Sequence, residues 1–209
     1  LLKFLSLFFF FFFLMGCADG KKASVPVSSE GKQQEQENEQ EIPQIVHKDV
    51  TIAAVGDLLI HSGIYKSAYN ISTGSYDFRE QFKYIKPIIE KADIAVANLE
   101  TTLGGEERGY SGYPLFSAPD SLIDALKDSG FDLLTGSNNH RIDTGVKGFY
   151  RTIDVVRDKG LDIIGIRRNE AEKSYAIKEI NGLKIALINI GYGSTLKDGT
   201  RTLNGIPIP

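Results

Sequence analysis

From Asp49 onward the apolar residues fall into short runs separated by amphipathic stretches. Residues 50–55 form a run rich in β-branched side chains that ends at Gly56-Asp57, which predicts a buried strand. Phe78, Phe82, Ile85 and Ile89 recur at helical spacing. They predict a helix to about Lys91, opened by a capping box of Asp77 and Glu80 and kinked at Pro87. Residues 93–98 read as a second apolar strand. Leu122, Ala125 and Leu126 give residues 119–129 the inward face of a helix stopped by Gly130. Residues 131–135 are a third strand. Val146, Phe149, Ile153 and Val156 mark a helix over 145–159, stopped by Gly160. Residues 161–166 are a fourth strand. Alternating runs over 175–180 and 183–190 flank Asn181-Gly182, a type I′ hairpin signal. The order is βαβαβαβ followed by a hairpin. That alternation predicts an α/β fold with a largely parallel sheet and helices packed on it.

The N-terminal pattern is different. Residues 1–14 carry one charge, Lys3, and an apolar run with six consecutive phenylalanines, Phe8 to Phe13. A spanning helix needs ~20 apolar residues, so the run fits the core of a secretory signal peptide better. Leu14-Met15-Gly16-Cys17 then resembles the lipobox of bacterial lipoproteins. The resemblance implies a lipid on Cys17 and a membrane partner, at the extracytoplasmic face of the cell membrane. Two or three acyl chains hold stably where one is marginal. The competing reading is an uncleaved anchor helix with an incidental cysteine. Residues 18–48 are rich in Gln, Glu and Ser and cannot bury a core, so they read as a disordered polar linker. Residues 49–209 remain for one domain. A single cysteine excludes an internal disulfide framework. A net charge of −3 without a large basic patch argues against nucleic acid as a partner.

Ligands of open α/β sheets bind at the carboxyl ends of the parallel strands. Three polar clusters fall there. The first strand ends in Gly56-Asp57, with His61 four residues on. The second ends in Asn98-Leu99-Glu100. The third ends in Ser137-Asn138-Asn139-His140, with Asp143 following. If the strands are neighbours, ~4.8 Å apart, Asp57, Glu100, Asn139 and His140 can share one pocket. A carboxylate, amide and imidazole set suits Mn, Fe, Mg or Zn rather than copper or an iron–sulfur cluster. Each member also has a plain structural reading. Gly56-Asp57 can be a turn, Glu100 a loop cap and His61 an exposed loop residue. Asp143 can orient an imidazole or cap the following helix.

Taken together, Gly56-Asp57, Asn98-Leu99-Glu100 and Asn138-Asn139-His140, with Asp143, Gly145 and Gly148, resemble the signature blocks of the CapA (PgsA-type) capsule-synthesis proteins. The segment Thr202-Leu203-Asn204-Gly205-Ile206-Pro207 resembles the stretch after the hairpin in that family. The likeness covers residues 50–209. It implies a layered α/β/β/α sandwich similar to calcineurin-like metallophosphoesterases. It implies Asp57, Glu100 and Asn139 as metal ligands and His140 with Asp143 as catalytic residues, with His61, Asn98 and Asn138 as further candidates. Leu59 stands where the superfamily has a histidine, and Glu100 replaces its Gly-Asp block. The family continues with histidine-containing blocks. This sequence reaches Pro209 with only His47, His61 and His140, so the sandwich is expected to be incomplete at its C-terminus. Three functions stay open. The chain is a metal-dependent hydrolase of poly-γ-glutamate capsule synthesis or export, a non-catalytic accessory of the same polymer machinery, or a truncated inactive fragment.

Overall fold

The computed structural model describes residues 45–191 and the backbone of 201–203 and 206–208. Cys17, the linker up to residue 44 and parts of the 202–207 segment lie outside the described residues. The described part belongs to one compact unit, Ile45–Pro209.

Four strands, β1 (Ile52–Asp57), β4 (Ile94–Asn98), β5 (Leu133–Thr135) and β6 (Asp162–Ile164), form a parallel sheet in the order β1-β4-β5-β6. Spatial order follows chain order, so right-handed crossovers put the intervening helices on one face. That face carries Ala53, Val55, Ala95, Ala97, Leu134 and Ile163. It is closed by Leu122, Ile123 and Leu126 of α4 (Ser121–Asp128) and by Phe149, Ile153 and Val156 of α5 (Gly145–Asp158). Helical spacing predicts Leu122, Leu126, Phe149, Ile153 and Val156 here, while Ile123 is an unexpected inward residue and Val146, expected inward, is only half-buried.

The segment between β1 and β4 departs from expectation. In place of one kinked helix there is α1 (Ser62–Ser67) and a two-residue ribbon, β2 (Tyr69–Asn70) with β3 (Ser75–Tyr76). Two single turns follow, α2 (Arg79–Phe82) and α3 (Lys86–Ile89). Pro87 sits in the first turn of α3, where its missing N–H has no role to fill, so it starts a helix instead of kinking one. Phe78, Phe82 and Ile89 are buried, but the break leaves Ile85 exposed. The capping box is half formed. Asp77 accepts from the backbone N of Arg79 at 3.0 Å, while Glu80 turns to Lys83 at 2.6 Å.

The hairpin of β7 (Tyr175–Ile180) and β8 (Leu183–Ile188) turns at Asn181-Gly182. Their φ values of 52° and 73° are the two left-handed positions of a type I′ turn. At the turn, Asn181 Nδ2 donates to Asp49 O at 2.9 Å, and Lys178 pairs with Asp162. At the far end, Asn189 Oδ1 accepts from Ser137 N at 2.6 Å, and Gly165 N donates to Ser174 O at 2.8 Å. These ties run from one edge of the parallel sheet to the other, so the hairpin lies along it as a further layer. A separate two-stranded ribbon pairs β9 (Arg201–Leu203) with β10 (Ile206–Ile208). Among the described residues no helix is long and apolar enough to cross a membrane.

Truncating a fully buried ring in α5 leaves a cavity that the parallel sheet cannot collapse into. Phe149→Ala should lower unfolding stability by about 3–5 kcal/mol, read from urea unfolding of the wild type and the variant.

Candidate functional site

Parallel pairing sets Asp57 beside Asn98, and Asn98 beside Thr135, at the carboxyl edge of the sheet. The three strand tips therefore meet, as the site requires. Their polar side chains are joined by one hydrogen-bond chain whose polarity can be read from its backbone ends. The carbonyl of Leu99 can only accept, and it takes a bond from Asn138 Nδ2 at 2.9 Å. The N–H of His140 can only donate, and it gives to Asn138 Oδ1 at 3.0 Å. The Asn138 amide is thus oriented. Its Nδ2 also reaches Asn98 Oδ1 at 3.2 Å, and so does Thr135 Oγ1, at 3.2 Å. The Asn98 amide must then present Nδ2 to the carboxyls, donating to Asp57 Oδ1 at 2.8 Å and Glu100 Oε2 at 3.3 Å.

The two carboxyls share the Asn98 Nδ2 donor, and their environments push their pKa values apart. The Asn98 amide, then Glu100, hold exposed Asp57 below the usual carboxylate range. Burial, then the proximity of Asp57, push Glu100 up.

His140 is half-buried beside this pair. Its Nδ1 lies 2.8 Å from Asp143 Oδ2, the oxygen that also accepts from Phe116 N at 2.7 Å. Desolvation raises the Asp143 pKa, and the bonds from Phe116 N–H and His140 oppose that shift. Where Asp143 is the acceptor and the imidazole neutral, Nδ1 carries the hydrogen and Nε2 keeps its lone pair. Phe116 packs edge-on against His140 at 4.7 Å and against His61 at 5.0 Å.

Phe116 comes from the long loop between β4 and α4, which has no periodicity to betray it. The loop is pinned to α5. Leu103 N donates to Thr152 Oγ1 at 2.9 Å, and Arg151 Nη1 donates to Leu103 O at 2.7 Å. Arg151 also pairs with Asp120 at 2.6 Å. Thr135 and the Leu99 carbonyl were likewise invisible as site groups, since both read as ordinary strand ends. Of the sequence candidates, the structure joins Asp57, Asn98, Glu100, Asn138, His140 and Asp143. Asn139 is exposed and outside the network, and exposed His61 touches it only through Phe116.

The residues described do not fit a complete divalent metal centre. Asn98 Nδ2 already donates to both Asp57 Oδ1 and Glu100 Oε2. Among the described residues no three His, Cys, Asp or Glu side chains group closely enough to hold a cation.

Residues 51–205 match the family described as bacterial capsule synthesis protein PGA_cap. The chain belongs to this family. It is similar to the capsule biosynthesis protein CapA of Bacillus anthracis, 26% identical over 147 residues, which are 68% of this chain and 34% of that protein. It is also similar to the PGA biosynthesis protein CapA of Bacillus subtilis (strain 168), 28% identical over 128 residues, 57% of this chain and 33% of that protein. The matched region thus spans about a third of the length of these curated relatives. The family assignment agrees with the strand-tip blocks, and the parallel sheet agrees with the α/β class expected of it.

Asn138 and Asn139 are adjacent but differ in role, which gives a clean contrast. Asn138→Asp replaces the donor facing Leu99 O and Asn98 Oδ1 with an oxygen, and should cost about 1–3 kcal/mol in urea unfolding. Asn139→Asp, at an exposed position, should stay within about 0.5 kcal/mol. Carboxyl carbon chemical shifts should show Asp57 titrating below 3.8 and Glu100 above 4.5, their ordinary values.

Proposed function

We propose that this chain acts in the biosynthesis of a poly-γ-glutamate-type capsule polymer at the outer face of the cell membrane, held there by a lipid on Cys17. Its strand-tip site would hydrolyse a phosphoester or γ-glutamyl amide bond of the polymer or its precursor. Family membership and the names of the relatives support the capsule role. The observation that carries the chemistry is the Asp57–Glu100 pair, bridged by the Asn98 amide and with pKa values pushed in opposite directions, beside a histidine hydrogen-bonded to Asp143. Titratable neighbours with pKa values pushed apart are the pattern of an acid–base pair.

In this reading His140 Nε2 takes a proton from water as the water oxygen attacks the phosphorus or carbonyl carbon. Glu100 gives its proton to the leaving oxygen or nitrogen as that bond breaks. One proton is taken and one is given. Exchange with solvent then returns His140 and Glu100 to their starting states. Asp57 accepts from Asn98 Nδ2 at 2.8 Å, which favours its ionised form. Metal-dependent hydrolysis, which the family resemblance implies, lacks a complete ligand set among the described residues, so no step passes through a cation here.

That same shortage favours a second reading, in which the domain is a non-catalytic accessory of polymer assembly or export. Complementation of a capsule-negative deletion strain separates the two. Under the hydrolase reading the wild-type chain restores capsule and an Asp57→Ala, His140→Ala double variant does not. Capsule restored by the double variant at equal protein level favours the accessory reading, and failure of the wild-type chain sinks both. In a purified assay, His140→Ala should lower turnover by about 10²–10⁴-fold. Activity should fall as pH rises through the raised Glu100 pKa, because the proton donor is lost, and Glu100→Gln should abolish that limb.

A further inference from the structure

A cavity of about 310 Å³ opens at the same edge of the sheet, one strand beyond the carboxyl pair. Ser137, Gly165, Arg167, Ser174, Asn189 and Gly191 line it, between the tips of β5 and β6 and the end of the hairpin. Its chemistry is one-sided. Among the described residues, Arg167 is its cation and no carboxylate lines it. Asn189 uses Oδ1 to accept from Ser137 N at 2.6 Å, which leaves Nδ2 as a donor. Ser137 and Ser174 add hydroxyls. Arg167 uses Nη1 on the carbonyls of Glu170 and Glu172, at 3.2 and 2.8 Å, and its Nε is enclosed without a hydrogen-bond partner. The guanidinium also keeps its Nη2 donor without a partner among the described residues.

The neighbouring carboxylates are engaged elsewhere. Glu172 pairs with Arg157 at 2.8 Å and accepts from Arg168 N at 3.2 Å, while Asp154 holds Arg168 at 2.5 Å. The walls also depend on two glycines. A Cβ on Gly165 would stand 2.0 Å from Asn189 Oδ1, and one on Gly191 would stand 2.6 Å from Ser137 Oγ. Only bare backbone lets the hairpin end approach the strand tips this closely.

We infer that this cavity binds an anionic group, a carboxylate or phosphate, through Arg167, the Asn189 amide and the serine hydroxyls. Guanidinium and amide donors around an oxyanion make charge-assisted bonds that are stronger than neutral ones. Because Ser137 precedes Asn138, an anion held here lies on the strand next to the one that orients the carboxyl pair. It can anchor an extended anionic ligand along the edge. The inference does not depend on whether the carboxyl pair is catalytic.

Calorimetric titration of the full chain in neutral detergent at low salt tests it, with inorganic phosphate in one arm and glutarate in the other. Binding of either anion is expected. The preferred arm tells whether the site takes phosphoryl or carboxylate groups. Arg167→Gln should weaken binding by about tenfold or more, through loss of a charged donor. Asn189→Asp keeps the acceptor for Ser137 N but puts an oxygen where Nδ2 stood, so it should weaken binding at least as much. A thermal melt like that of the wild type confirms that the Asn189→Asp chain is folded. Binding of neither anion overturns the inference. So does unchanged affinity in the folded Asn189→Asp chain.

Discussion

The orientation of a single side-chain amide, that of Asn138, governs the polarity of the whole strand-tip site. A carbonyl that can only accept and an N–H that can only donate hold its two ends. Asn98 then has one permitted orientation, and Asp57 and Glu100 receive donors whether or not a ligand is present. Such networks are worth most when every member is satisfied, because the interior makes an unpaired polar group expensive. The chain of bonds also ties β4 to β5 through side chains where the backbone ladder ends. Site chemistry and sheet cohesion are therefore the same interaction.

A second constraint comes from α5. Its buried face closes the core, and its Arg151 and Thr152 hold the loop after β4. That loop carries Phe116, whose N–H bonds Asp143 and whose ring walls the two imidazoles. The orientation of His140 thus depends on a helix that contributes no group to the strand-tip hydrogen-bond chain. The desolvation that raises the Asp143 pKa comes with this enclosure, whereas Asp57, on the edge strand β1, stays in water and is held down by hydrogen bonds. Two acids of one site are thereby driven in opposite directions by burial and by donors.

The carboxyl pair and the anion cavity occupy neighbouring strands at one edge, with opposite electrostatic character. Among the described residues, one gathers acids, and the other offers donors and a guanidinium.

Local periodicity determined the four parallel strands, the two long helices and the Asn181-Gly182 turn, because each is set by spacing of apolar side chains or by a left-handed backbone requirement. The same local rules misread residues 77–91. Phe78, Phe82 and Ile89 are buried there by two separate single turns, and helical spacing alone cannot tell one helix from several turns that reach the same core. At the site, the sequence placed polar residues at strand ends, and parallel pairing makes those ends converge. It could not rank Asn138 against its neighbour. Only the register of β5 on β4, and the direction in which the chain leaves the strand, turn Asn138 inward and Asn139 to solvent. Phe116 and Arg167 carried no signal, since their positions depend on loops pinned by contacts distant in sequence.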